Sequence, residues 1–386
     1  MKFPAAILAF FFFGSCFAQA PTVQGKSAII IDAATGKVLW EKDADVPRYP
    51  ASTTKIMTAL LTLESKDLFD LLKAPASVTS VEGSSLHLRP GEEISVEDAV
   101  YAMILRSAND VCYTAAVRLA GSVSAFSDRM NERAKEIGCT GTHFHNPHGL
   151  PDKEHVTTAH DLARIARVAM KNPMFREVAK TRQRVIQRSI NQEDTFLETR
   201  NKWLLKDPTA DGIKTGFTND AGHCYVGSAV RNGFRVITVI MNSPDTQVDQ
   251  DAMLKWSFSN YEVGLSARPG ELLCEVPITG GTVPTLGLAP LVDTQLLSKV
   301  GTKPKFTFRL ENRAVAPIKA GQKLGYAVAD DGTGFQVRVP VVALESVDVK
   351  PQMFNFEGRI PAFAWYALGA AVAGGALLYK KRTRIY

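Results

Sequence analysis

Apolar positions change their spacing several times along the chain. A continuous apolar run fills residues 5–13. Ser27-Ala28-Ile29-Ile30-Ile31-Asp32 and Lys37-Val38-Leu39-Trp40 flank Ala33-Ala34-Thr35-Gly36, the pattern of a β-hairpin. From Thr53 to about Lys171 apolar residues recur at helical spacing, broken at Pro75, Pro90-Gly91, Gly121 and residues 147–151. Strand patterns return at residues 212–214, 223–230 and 235–241, and Arg231-Asn232-Gly233 carries the Asn-Gly hairpin dipeptide. Residues 253–261 read as helix. Beyond Ala267 short alternating runs, 305–311 and 335–339, sit between breaks rich in Pro, Gly and Thr. These periods predict an α/β (α+β) first domain, an antiparallel sheet drawn from both of its ends with a helical block inserted. A small all-β domain over 267–350 follows, then a linker over 351–358. A length of 386 residues accommodates about two such domains.

The two ends have another character. Lys2, the run 5–13 and the small residues before Gln19 have the layout of a secretory signal peptide, 1–18. Nine apolar residues are too few to span a bilayer. Cleavage after Ala18 is favoured over Ala20, where Pro21 would follow the cut. Phe13-Gly14-Ser15-Cys16 only faintly resembles a lipoprotein box, because Phe13 holds the aliphatic position. Residues 360–379 contain no charge and match the hydrocarbon thickness, and Lys380-Lys381-Arg382-Thr383-Arg384 follows at once. This predicts a transmembrane helix with a cytoplasmic basic tail, 380–386. An amphipathic helix lying on the membrane is the alternative; the run shows no polar face, which favours the span.

The net charge of +6 shrinks to +1 once Lys2 and the four basic residues of the tail are set aside, leaving 40 basic against 39 acidic residues. The basic balance is therefore a targeting signature, and no nucleic-acid partner is expected. The expected location is the extracytoplasmic (periplasmic) face of the cytoplasmic membrane, held by a single C-terminal pass. Cys112, Cys139, Cys224 and Cys274 would remain after processing, widely spaced and without a C-x-x-C pair. That argues against a cysteine zinc site, and isolated buried thiols are expected for most.

The candidate chemistry starts at Pro50-Ala51-Ser52-Thr53-Thr54-Lys55, a Ser-x-x-Lys tetrad at the head of an apolar helix. Residues three apart share a helical face, so Ser52 and Lys55 can touch. A serine hydroxyl needs a base within hydrogen-bond reach, and a lysine held neutral by burial can supply it. About one such tetrad is expected by chance in a chain this size. Its weight comes from two later triplets in order, Ser107-Ala108-Asn109 and Lys214-Thr215-Gly216.

With S-x-x-K, S-x-N and K-T-G in sequence, the chain resembles the low-molecular-mass penicillin-binding proteins, the D-alanyl-D-alanine carboxypeptidases. The likeness runs from about Ser27 to Val349 and includes His145-Asn146-Pro147-His148-Gly149-Leu150. It implies a penicillin-binding catalytic domain over 21–262, the same sheet with an inserted helical block, and no cofactor or metal. Ser52 would be the acylated nucleophile, Lys55 its base, and Ser107 the relay to the leaving amine. Asn109 would bind the substrate amide, and Lys214 and Thr215 the terminal carboxylate. Gly216 would let the strand approach the substrate. The N–H groups of Ser52 and Phe217 would form the oxyanion hole. The implied partners are peptidoglycan pentapeptide and β-lactams as covalent inhibitors.

Several residues are decoys or departures. Ser189-Ile190-Asn191 also reads Ser-x-Asn. His145 and His148 suggest a general base but read as turn-shaping residues, and Asp161 as a cap or ion-pair partner beneath the site. His87 is an unusual occupant of the loop beginning Gly83-Ser84-Ser85. Residues 242–250 contain no arginine, where relatives often place one near the substrate carboxylate. Alternative functions are a D,D-endopeptidase on crosslinks, which uses the same groups, and a β-lactamase. Against the latter, Glu132, Glu136 and Glu154 lack a Glu-x-x-x-Asn setting, and Glu198-Thr199-Arg200-Asn201 lies too near Lys214. A non-catalytic scaffold is argued against by intact Ser52, Lys55 and Lys214.

Overall fold

Ser27–Asp32 is buried at every position, and its side chains divide between two cores. Ile29 and Ile31 enter the larger one with Ile56, Met57 and Leu60 of the helix Lys55–Ser65, whereas Ala28 and Ile30 join Met253 and Leu254 on the opposite face. A strand apolar on both faces needs cover on both. That is why its sequence reads as an unbroken apolar run.

The computed structural model describes residues 19–65, 67–302 and 306–351. The expected signal peptide, transmembrane helix and basic tail lie outside these residues, as does all but the start of the expected linker. Among the described residues no helix is long and apolar enough to cross a membrane.

The first domain is built on a five-stranded antiparallel sheet. Its order is Val38–Lys42, Ser27–Asp32, Phe234–Ser243, Gly222–Arg231, Ala210–Thr218. The N-terminal hairpin thus pairs with strands some 200 residues later, Ile29 opposite Val239. Asn232 and Gly233 turn the last hairpin with positive φ at both, as a two-residue turn matched to strand twist requires.

The helical block lies between these halves. Ser95, Ser122, Thr158 and Asn172 cap its helices through their side chains, and Gly121 and Gly138 end two of them in the left-handed conformation. Two short hairpins that helical periodicity did not predict, Leu71–Lys73 with Glu93–Ser95 and Gln183–Val185 with Phe196–Glu198, edge the block.

A buried ion pair ties these edges together. Arg188 Nε donates to Glu92 Oε1 at 2.8 Å and Nη2 to Oε2 at 3.1 Å, with both side chains at 0% exposure. The remaining guanidinium donors reach the carbonyls of Leu86 and His87. This clamp fixes the loop on which His87 holds a positive φ. Removing one partner of such a pair leaves the other charged and unsolvated. Glu92→Ala should therefore lower stability by about 3–5 kcal/mol. The check is the denaturant midpoint at unchanged slope; a loss below about 1 kcal/mol would mean that water reaches the guanidinium.

The second domain carries a six-stranded sheet, ordered Thr307–Leu310, Lys323–Asp330, Gln336–Ala343, Thr285–Pro290, Cys274–Thr279, Ala314–Val315. The strand Tyr261–Ala267 follows the helix Thr246–Asn260 directly and pairs with Thr294–Lys299. The change of domain, expected between 262 and 267, thus falls on a continuous strand. Leu297 packs in one cluster with Val23, Leu39 and Trp203, and Asp331 pairs with Lys37 of the first hairpin. The two domains share a core at their junction.

Candidate active site

Ser52 lies in a single 3₁₀ turn, Ala51–Thr54, that leads straight into the helix Lys55–Ser65. Ala51 holds a positive φ of 49°, a costly conformation for a residue with a Cβ. The turn is pinned from the far side by Gly149. A Cβ there would lie 1.8 Å from the Ala51 carbonyl oxygen, and Gly149 itself has φ +89°. The His145–Leu150 segment therefore serves as a backing for the serine turn.

Lys55 is fully buried, and its Nζ lies 3.0 Å from Ser52 Oγ. Nζ also donates to the His148 carbonyl at 2.6 Å. Burial lowers its pKa from 10.5 to about 8; the Arg200 guanidinium pushes the same way, while Cys112 and Asp110 oppose. Lys214 is also held well below the ordinary lysine value, by burial first and then by Lys55 and Arg200. Its Nζ donates to the Thr215 carbonyl at 2.9 Å.

Ser107 ends a π-helical turn, Ala102–Arg106, that continues the helix Val96–Tyr101. The extra residue in that turn and a left-handed Ser107, φ 64°, aim the triplet at the cleft. Asn109 begins the next helix and is 4% exposed. Its Nδ2 donates to the Glu82 carbonyl at 2.7 Å, which fixes the orientation of the amide. Its Oδ1 is buried and has no partner among the described residues. A buried acceptor left open at a cleft wall is suited to an incoming N–H donor.

The strand Ala210–Thr218 forms the other wall. A Cβ at Gly216 would lie 2.9 Å from Ser52 N, so only glycine lets the strand come this close to the serine turn. The cleft, about 540 Å³, is lined among others by Ser52, Ser107, Arg200, Thr215, Gly216 and Phe217. Lys55, Asn109 and Lys214 stand buried behind that lining. The structure thus brings together every residue singled out from the three motifs.

It also adds one. Arg200 lies in the cleft, and its Nη1 donates to Ser84 Oγ at 2.8 Å. In the sequence Arg200 sat only within a discounted Glu-Thr-Arg-Asn stretch, and no local pattern marks it. Pro244, Asp245, Thr246 and Gln247 also line the cleft and occupy the stretch that lacks an arginine. Asp245 there is spent on capping, accepting from the N–H groups of Gln247 and Val248.

The decoys resolve. Asn191 N–H lies against the Glu92 carboxylate of the clamp. His148 is pushed down to about 3 by burial, Lys55 and His155, so its imidazole is neutral at working pH, and Nδ1 accepts from Leu150 N–H. Thr158 caps its helix, and Asp161 holds Thr140, Gly141 and Thr142 and pairs with Arg164. His155 was passed over in the sequence. Its ring accepts from the N–H groups of His145 and Asn146 at Nδ1, so Nε2 carries the proton, 2.8 Å from Thr54 Oγ1. Cys112, Cys139, Cys224 and Cys274 are all free thiols.

The family model for D-alanyl-D-alanine carboxypeptidase matches residues 15–245. The D-alanyl-D-alanine carboxypeptidase DacF of Bacillus subtilis is 30% identical over 336 residues, covering 84% of this chain and 86% of its own. Penicillin binding protein 5 from Haemophilus influenzae shares the fold, with a TM-score of 0.70 at 24% identity over 86% of this chain and 99% of its own. The D-alanyl-D-alanine carboxypeptidase DacD from Francisella tularensis gives 0.61 at 27% identity, over 85% and 95% of the two chains. A nucleophile-and-lysine cleft on this fold, over this much shared sequence, has one family reading: the chain belongs to the D-alanyl-D-alanine carboxypeptidases, the low-molecular-mass penicillin-binding proteins.

Proposed function

We propose that Ser52 attacks the D-Ala-D-Ala bond of a peptidoglycan stem peptide, with Lys55 as its base. The observation that carries this is a fully buried lysine 3.0 Å from the serine hydroxyl, with its pKa lowered to about 8. Neutral Lys55 takes the Ser52 proton as Oγ bonds to the carbonyl carbon. The oxyanion that forms meets the N–H groups of Ser52 and Phe217, each worth roughly 3–4 kcal/mol in comparable sites. Ser107 passes a proton to the departing amine, D-alanine leaves, and water hydrolyses the acyl-Ser52 ester. The peptide lies extended along Ala210–Thr218, its amide N–H directed to Asn109 Oδ1. A β-lactam, with a reactive amide and a carboxylate similarly placed, acylates the same oxygen.

The assay that tests this offers the chain a muropeptide pentapeptide and a crosslinked dimer. Release of free D-alanine from the pentapeptide is expected. Cleavage of the dimer alone would make the enzyme an endopeptidase. Rapid clearance of a fluorescent penicilloyl adduct, in under a second, would make it a β-lactamase.

We assign the terminal carboxylate to Lys214, Thr215 and Arg200. Arg200→Ala should raise KM for a peptide with a free C-terminal carboxylate by about 10–100-fold, the worth of a charged hydrogen bond. The same peptide as a C-terminal amide should be affected far less. Equal losses on both would place Arg200 outside carboxylate recognition.

We further propose that the enzyme works at the outer face of the cytoplasmic membrane, held by a spanning helix over 360–379. The support is the uncharged length of that run and the basic cluster behind it. The full chain should resist carbonate extraction, and a tag after Tyr386 should be shielded from protease added outside. A chain truncated near Glu357 should be soluble and still active. A tag digested from outside would mean that the segment lies on the membrane.

A further inference from the structure

A second set of chemically able side chains stands apart from the cleft, on the loop that backs the serine turn. His145, Asp152 and Glu154 bring one imidazole and two carboxylates together, with their donor atoms all within 4.8 Å of one another. Asp152 Oδ2 is 3.8 Å from His145 Nε2, and Glu154 Oε2 is 4.0 Å from Nδ1. Neither acid has a lysine or arginine partner among the described residues. Two carboxylates thus flank the one ring. Four of the chain's seven histidines fall between residues 143 and 155; His148 and His155 are engaged by backbone N–H groups, and the His145 ring faces the two carboxylates.

The backbone that carries the three is organised in advance. His145 N–H donates to His155 Nδ1 at 3.0 Å, and His155 N–H donates to the Asp152 carbonyl at 3.1 Å. Glu154 N–H donates to Asp152 Oδ1 at 2.8 Å, and the Glu154 carbonyl meets His143 Nδ1 at 2.8 Å. Both arms of the ligand set are therefore tied to one residue, His155, the first through its ring and the second through its backbone N–H. Asp152 and Glu154 face different nitrogens of the His145 ring, so one carboxylate must swing round to the nitrogen that the other faces for all three donors to meet one ion.

We propose that His145, Asp152 and Glu154 bind a divalent transition-metal ion of the zinc, cobalt or nickel class. Imidazole favours these ions, whereas magnesium and calcium take all-oxygen sets. Three protein ligands at about 2.0–2.2 Å leave the remaining positions to water. The site stiffens the loop and takes no part in the reaction's steps. The two arms it joins carry the His148 carbonyl that receives Lys55 Nζ and the His155 ring that meets Thr54, so the ion sits behind the wall that seats the general base.

The test uses the full-length chain, stripped with chelator and titrated with cobalt(II) while its visible d–d absorption is followed. Unfolding temperature is measured in parallel with and without zinc. One equivalent of cobalt should saturate the signal, and zinc should raise the unfolding temperature. His145→Ala and Asp152→Asn should each weaken binding at least about tenfold and abolish the zinc-dependent rise. His145 is exposed, so its variant should melt with the parent in the absence of metal. His160→Ala, whose ring faces Asp45 elsewhere, should bind as the parent does. No saturable signal, or a signal that survives both substitutions, overturns the assignment.

Discussion

Replacing Ser52 by alanine should abolish covalent penicillin labelling and reduce D-alanine release by about 10⁴–10⁶-fold, the scale seen when a serine nucleophile is removed elsewhere. The loss is so large because the remaining machinery has nothing to act through. Lys55 would lose its proton source, and the proposed oxyanion donors at Ser52 and Phe217 would have no oxyanion to stabilise. The cleft also contains the hydroxyls of Ser84, Ser107, Thr215 and Thr246. Of these hydroxyls and that of Ser52, the one within hydrogen-bond distance of Lys55 Nζ is Ser52 Oγ, at 3.0 Å. Intact-protein mass spectrometry and peptide mapping after penicillin treatment decide the matter. A penicilloyl adduct that persists in Ser52→Ala, on Ser107 or another hydroxyl, would sink the assignment.

The second large effect belongs to Lys55 and has a definite sign in pH. Its pKa lies at about 8, lowered from 10.5. A lysine serves as base only when neutral. Acylation should therefore rise with pH through about 8, level off above it, and fall tenfold for each further unit below. Lys55→Arg keeps the charge and cannot lose it, so it should acylate about 10²–10⁴-fold more slowly, the usual weight of a general base. Arg200→Ala removes a cation that lowers the Lys55 pKa and should move the inflection upward. Rates of acylation by a fluorescent penicillin between pH 6 and 10 provide the check. A flat profile, or Lys55→Arg at near parental rate, would remove Lys55 from the base role.

Much of this was legible in the sequence, for identifiable reasons. The sheet could be read because Ser27–Asp32 and Phe234–Ser243 are apolar on both faces. The Ser52–Lys55 contact could be read because helical spacing alone places residues three apart on one face. Arg200 could not, since it reaches the cleft only after Gln183–Val185 and Phe196–Glu198 fold back on each other. The clamp between Arg188 and Glu92 joins residues nearly a hundred apart, and a charge pair leaves no periodic trace. Ser107 is left-handed without being glycine, and Asn109 owes its orientation to the carbonyl of Glu82; neither fact is written in the S-A-N triplet. His155 looked like one histidine among several until its two ring nitrogens could be assigned separate duties.

Among the described residues the strand Ala210–Thr218 has a neighbour on one side only. An unpaired strand edge is ordinarily open to any extended backbone, including the edge of another folded protein. Here the free edge faces inward, with Gly216 almost touching the serine turn. With the serine turn standing across it, that edge should accept a single extended chain more readily than a strand that arrives with a sheet attached. Thickness would then be a first filter, ahead of any recognition of D-alanine: a slender stem peptide should enter where a folded polypeptide does not.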